Sequence, residues 1–131
     1  MTDLQVPVSP GELLDKITIL RIKSERIHDA AKLANVNLEL ALLERTWAAL
    51  GSAATAAVAA DERALQAVNA QLWEVEDRIR DKEANRSFDA EFIELARAVY
   101  HRNDERAAIK KRINTALGSR IVEEKSYQPY R

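Results

Sequence analysis

The sequence predicts an all-α protein: an antiparallel four-helix bundle-like fold with a long C-terminal helical hairpin and an extended C-terminal tail. Three observations carry this. The 131 residues include only three Gly and three Pro, too few turn-formers for a many-stranded sandwich or barrel. Alanine is abundant and aromatic residues make up only 5%, a balance that favours helix. Apolar residues recur at spacings of three and four along most of the chain. Length and a hydrophobic content of 47% suit a single globular domain over residues 1–131.

The first helix starts near residue 10, after an extended arm at 1–8. Ser9-Pro10-Gly11-Glu12 reads as a capping box, with Ser9 as N-cap and Glu12 reaching back to its N–H. Pro10 occupies the first helical position, where a missing N–H costs nothing. Val8 and Leu13 are spaced for a hydrophobic staple. Leu13, Ile17, Leu20, Ser24, Ile27 and Ala31 form one stripe, and Ile19 and Ile22 add a second apolar side. Such a helix is either central in a bundle or covered by a partner chain.

A break is expected over Asp29–Asn37, with Asn35 or Asn37 capping a second helix. Val36, Leu40, Leu43, Trp47 and Leu50 form its stripe, with Leu38, Leu42 and Ala49 on its back and Gly51 as its stop. The alanine-rich stretch 52–60 precedes a third helix that starts between Thr55 and Asp61. Leu65, Val68, Leu72, Val75 and Ile79 then alternate by three and four up to about Ala84. Asn85-Arg86-Ser87 turns the chain, and Ser87 or Asp89 caps the fourth helix. Phe92, Leu95, Val99, Ile113 and Leu117 line that helix, which ends at Gly118-Ser119. Helices three and four, each about 35–40 Å long, are antiparallel neighbours because their turn is short. The tail, 119–131, has no helical stripe and is extended or flexible, or docks through Ile121 and Tyr127.

Composition excludes several chemistries. Without cysteine there is no disulfide, thiolate zinc site, iron–sulfur cluster or cysteine nucleophile. Lys+Arg of 20 against Asp+Glu of 21 leaves no general electrostatic footprint for nucleic acid. No apolar run reaches the about 18–20 residues of a membrane span. MTDLQVPVS lacks the basic start and apolar core of a signal peptide, so a cytoplasmic protein is expected.

The fourth helix is interrupted by polar residues. Between Val99 and Ile113 its inward face reads Asn103, Arg106, Lys110. Folding the hairpin about residues 85–87 sets Asn103 near Leu72 and Trp73, a turn from Glu76, and Arg106 near Val68 and Asn69. A buried arginine demands an acidic partner. This seam is either a ligand site or an ion pair that fixes helix register. Glu12 and Asp15, beside Lys16, could hold Mg²⁺, but acidic residues at a helix start also answer the helix dipole.

The stretches PGELLDKITILRIKSERI (10–27), KLANV (32–36), LWEVEDRIR (72–80), LARAVYHRNDERAAIKKRIN (95–114) and GSRIVEEKSY (118–127) resemble a family of short bacterial proteins of unknown function. The resemblance covers nearly the whole chain and implies a bacterial, cytoplasmic, all-α protein with no established activity. It implies no catalytic residue. Its motif positions fall on Glu12, Asp15, Lys16, Trp73, Glu76, Asp77, Asn103, Asp104, Arg106 and the ending Glu123–Tyr127.

Known constellations fit poorly. A di-iron bundle needs two Glu-x-x-His motifs. Glu25–His28 is one, but His101 has Ala98 where the second glutamate belongs. All-α nucleotide pyrophosphohydrolases hold Mg²⁺ with Glu-x-x-Glu and a later Glu-x-x-Asp. Glu91–Glu94 and Glu12–Asp15 occur here in the opposite chain order. The basic run Arg102, Arg106, Lys110, Lys111, Arg112 is broken by Asp104 and Glu105 and reads as a salt-bridged face rather than a nucleic-acid site.

The expected function is therefore a non-enzymatic interaction or scaffolding module, self-associating as a homodimer, with a protein partner possible and no nucleic acid. Surplus apolar faces on the first two helices carry that reading. The alternative is a metal-dependent nucleotide- or phosphometabolite-binding enzyme. Candidate ligand-binding residues are Glu12, Asp15, Lys16, Asn69, Trp73, Glu76, Asp77, Asn103, Arg106 and Lys110. No catalytic residue, metal ligand or cofactor is assigned.

Overall fold

The computed structural model describes residues 2–130; position 1 of the arm and position 131 of the tail lie outside the described residues. Five helices follow in order: α1 (Pro10–Arg26), α2 (Ala30–Ala48), α3 (Ser52–Ala57), α4 (Ala59–Ala84) and α5 (Ala90–Ala116). No strand occurs among the described residues, and none of these helices is long and apolar enough to cross a membrane.

α1 is the central element. It packs on α2 on one side and on the α4/α5 hairpin on the other. Leu13, Leu14, Ile17, Leu20 and Ile22 are all buried; of its second apolar side Ile22 is covered from within the chain, while Ile19 is half-buried and faces a groove. Each of the buried side chains stabilises the fold by about 1.5–3 kcal/mol. The cap forms only by half. The Ser9 hydroxyl oxygen accepts the Glu12 N–H at 3.2 Å, but the Glu12 carboxylate turns away to Lys110 at 2.7 Å. The charged partner on α5 replaces the neutral Ser9 N–H.

The predicted break at 29–37 shrinks to the residues between α1 and Ala30. Asp29 caps α2 by accepting the Lys32 N–H at 2.9 Å, and Asn35 and Asn37 lie within the helix. Asp29 supplies the cap first, and the alanines that follow favour helix. Leu40, Leu43 and Trp47 face the core as expected. Leu50, assigned to that stripe, is exposed because it falls beyond the helix end.

The alanine-rich segment forms α3 and then breaks at Val58, which is fully buried against Leu14, Leu65 and their neighbours. The break turns one branched side chain into the core. α4 and α5 form the expected antiparallel hairpin around Leu65, Val68, Leu95, Ile109 and Ile113. Its turn places Arg86 at φ +50°; the Ser87 N–H reaches the Lys82 carbonyl at 2.9 Å, closing the helix end as a Schellman motif. Asp89 caps α5.

The tail is extended, as predicted, but its anchors differ. It lies back toward the α5 surface. Lys110 meets Glu123 at 3.3 Å, and the Tyr130 hydroxyl donates to Asp104 and stands beside Tyr100 and His101. Tyr127 is exposed, and Ile121 is only half-buried. Tyr130, not Tyr127, reaches the aromatic pair on α5.

Candidate functional site

The polar centre of the molecule is built where α1, α4 and α5 meet. Gly11 begins it. A β-carbon at Gly11 would stand 2.6 Å from the Lys110 carbonyl oxygen and 2.8 Å from Asn114 Oδ1, so only glycine lets α1 approach α5 this closely. The Gly11 N–H, left without a partner by the helix start, donates to Asn114 Oδ1 at 2.7 Å.

One turn on, Asp15 is buried, with its side chain 2% exposed. Arg106 holds it from α5 by two hydrogen bonds, Nε to Oδ1 at 2.8 Å and Nη2 to Oδ2. Asn69 of α4 donates Nδ2 to Asp15 Oδ1 and to Thr18 Oγ1, each at 2.9 Å. Lys110 lies 3.9 Å from Oδ2. Burial alone would raise the Asp15 pKa, but the bonds from Arg106 and Asn69 and the charges of Arg106 and Lys110 outweigh it and hold the carboxyl below its ordinary value. The Arg106 guanidinium is correspondingly raised by its bond to Asp15, against its own burial. The acidic partner demanded by Arg106 is thus Asp15 of α1. Glu76 makes no ion pair with it.

Glu12 completes the cluster through Lys110. Lys110, only 12% exposed, is shared with Glu123 of the tail. Glu123 in turn meets Lys125 at 3.1 Å, whose bond, with that of Lys110, keeps the Glu123 carboxyl below its usual range. Glu12 is therefore paired with Lys110 and Asp15 chiefly with Arg106, with Lys110 lying between the two carboxylates, which neither the Mg²⁺ pair nor the dipole reading anticipated. Glu91 and Glu94, the other acidic pair, lie at the far end of α5, where they meet Arg78, Lys82 and Arg97. Among the described residues no group of three His, Asp or Glu side chains gathers as metal ligands.

Two grooves flank Arg106. One, of about 460 Å³, runs between α1 and the hairpin and takes in Asn69, Trp73, Glu76, Asp77, Asn103 and Arg106, with Ile19, Ile22, Lys23, Leu72 and Arg80. The other, of about 420 Å³, includes Glu12, Asn103, Arg106, Lys110, Glu123, Lys125 and Tyr127. Asn103 and Arg106 line both, and Asp15 lines neither.

The family described as "Family of unknown function (DUF6165)" matches residues 4–130. The chain belongs to that family. No curated protein and no solved structure matches it.

Nine of the ten residues singled out from the sequence thus sit in or against this centre: Glu12, Asp15, Asn69, Trp73, Glu76, Asp77, Asn103, Arg106 and Lys110. Lys16 does not. It lies on the α2 side of α1 and pairs with Glu39 at 3.8 Å, half-exposed. The step of about 100° per residue sends it away from the face that carries Asp15. Thr18, Lys23, Arg80 and Asn114 were missed. Thr18 and Asn114 could have been found as polar residues inside apolar helical stripes; Lys23 and Arg80 carry no such signal.

Proposed function

We propose that this chain is a non-catalytic interaction module that self-associates. The observation supporting it is the apolar surface left over once the fold is closed. Ala31, Ala34, Leu38, Ala41 and Leu42 fall on the outward face of α2, and Leu38 is 63% exposed. A solvent-facing helix ordinarily carries charge there, whereas this face has Arg45 alone. Leu4 and Val6 of the arm are equally bare. Symmetric pairing is the usual way such surface is covered. A bacterial cytoplasmic setting and a further protein partner belong to the same reading. Sedimentation equilibrium of the full chain tests it: a dimer that dissociates on dilution is expected, and a monomer at every concentration overturns it.

A second reading has an observation of its own. The groove beside Arg106 is lined by Trp73 together with Lys23 and Arg80, neither of which has an ion-pair partner among the described residues, and with Glu76 and Asp77, which are likewise unpaired there. An aromatic platform with spare cations suits a nucleotide or other phosphorylated metabolite. Thermal-shift measurements with nucleotides, nucleotide sugars and sugar phosphates, with and without Mg²⁺ or Mn²⁺, test it. A ligand at 100 times its dissociation constant adds about 2.7 kcal/mol. A flat panel overturns this reading, and a shift that depends on metal promotes the enzyme alternative.

A further inference from the structure

We propose that residues 4–8 of the arm are exchanged between two copies of the chain, each arm lying in the groove between α5 and the tail of the other copy. The inference rests on the self-association reading and names the device. The arm carries Leu4, Val6 and Val8 at every second position, the pattern of a strand that buries one side. Among the described residues little covers that side beyond Val8. Exposure climbs with distance from the body, from 44% at Val8 to 71% at Val6 and 92% at Leu4. The arm therefore leaves its own surface instead of folding back on it. Ser9 sets that direction with extended backbone (φ −73°, ψ 156°) held by its cap and by Pro10. The backbone of residues 2–8 makes no hydrogen bond among the described residues. The family match begins at residue 4 and so includes the arm.

The receiving groove, of about 300 Å³, opens beside Ser9 between the second half of α5 and the tail. Its floor is small, made of Ala107, Ala108 and Thr115, and Val122 adds an apolar wall. Five extended residues reach about 16 Å, against about 12 Å of helix from Ala107 to Thr115. Tail residues 122–125 also lack backbone partners among the described residues, so they offer a free strand edge to an incoming strand. Charge is complementary. The groove is lined by Lys110, Lys111 and Lys125 against Glu123 and Glu124, a net positive balance, and Asp3, the residue just before the exchanged segment, brings the opposite sign. Because Ser9, the root of the arm, lines this groove, a two-fold axis passing near it lets both arms cross at once and closes the assembly.

The chain has no cysteine, so the contact can be trapped without background. One chain carries Val6→Cys and a second carries Ala108→Cys; the two are mixed and oxidised, and the unmodified chain is sedimented in parallel. A dimer in sedimentation with a disulfide joining the two different chains is expected, and Leu4→Asp should lower both while leaving the helical circular dichroism unchanged. A dimer without the mixed disulfide overturns arm exchange and leaves self-association standing, with the α2 face as its route. A monomer at every concentration overturns both. A chain carrying both cysteines that closes on itself at high dilution, in place of cross-linking, also overturns exchange.

Discussion

Arg106 and Asp15, 91 positions apart in sequence, meet through two hydrogen bonds on adjacent edges of guanidinium and carboxylate. The pair is asymmetric in burial. Asp15 is sealed in, while Arg106 keeps 29% of its side chain exposed. Water can soften the loss of an aspartate partner for Arg106 far more than the reverse.

Arg106→Ala leaves the Asp15 carboxylate in the interior with Asn69 and, at 3.9 Å, Lys110. It should cost about 3–5 kcal/mol, the range for breaking a buried pair. Asp15→Ala should cost less. Urea unfolding of both variants checks the order, and equal losses would show that exposure of Arg106 makes no difference.

Acid should act through the same carboxyl. Its folded-state pKa lies below the ordinary 3.8, so its contribution is complete above 3.8 and is lost as pH falls through the lower folded value. Asp15→Asn, with nothing to titrate, should be less stable than the natural chain at neutral pH and lose less on acidification below 3.8. Urea midpoints measured across that window check the crossing trend. Parallel curves would place the acid sensitivity elsewhere.

Gly11→Ala inserts a methyl group 2.6 Å from the Lys110 carbonyl oxygen. Backbone cannot step aside as a side chain can, so α1 must shift from α5, at about 1–3 kcal/mol. The Gly11–Asn114 hydrogen bond should loosen with it. A lower melting temperature and faster amide exchange at Gly11 in the variant are the expected readouts.

Arg86→Gly is expected to stabilise. Arg86 holds φ +50° at the hairpin turn, where a β-carbon costs about 1–2 kcal/mol; glycine removes that cost and returns part of it as chain entropy. A net gain of up to about 1 kcal/mol should appear in thermal unfolding, with no change in the sedimentation behaviour.

The hairpin was readable because its signals are local: alternating apolar spacings, a polar turn and Asp89 three residues before Phe92. The start of α1 was readable for the same reason. Val58 was not, since an alanine-rich run has no period from which one inward residue can stand out. Asp29 lost to Asn35 and Asn37 because all three are good caps and only position along the chain decides between them. The seam was half readable. Arg106 on an inward face announced a missing acid, but periodicity describes one helix at a time and cannot say that the acid comes from the other end of the chain. Lys16 beside Asp15 illustrates the converse, since neighbours in sequence point to different partners.

The distance along the chain between Asp15 and Arg106, and between Gly11 and Asn114, orders events during synthesis. α1 leaves the ribosome before α5, so the carboxylate destined for the interior lacks Arg106 and Lys110 until the second arm of the hairpin has been made. Until then it keeps its water and holds α1 away from full burial, while the hairpin closes over a short turn with local contacts only. A product truncated before α5 should keep Asp15 without its arginine and α1 short of full burial.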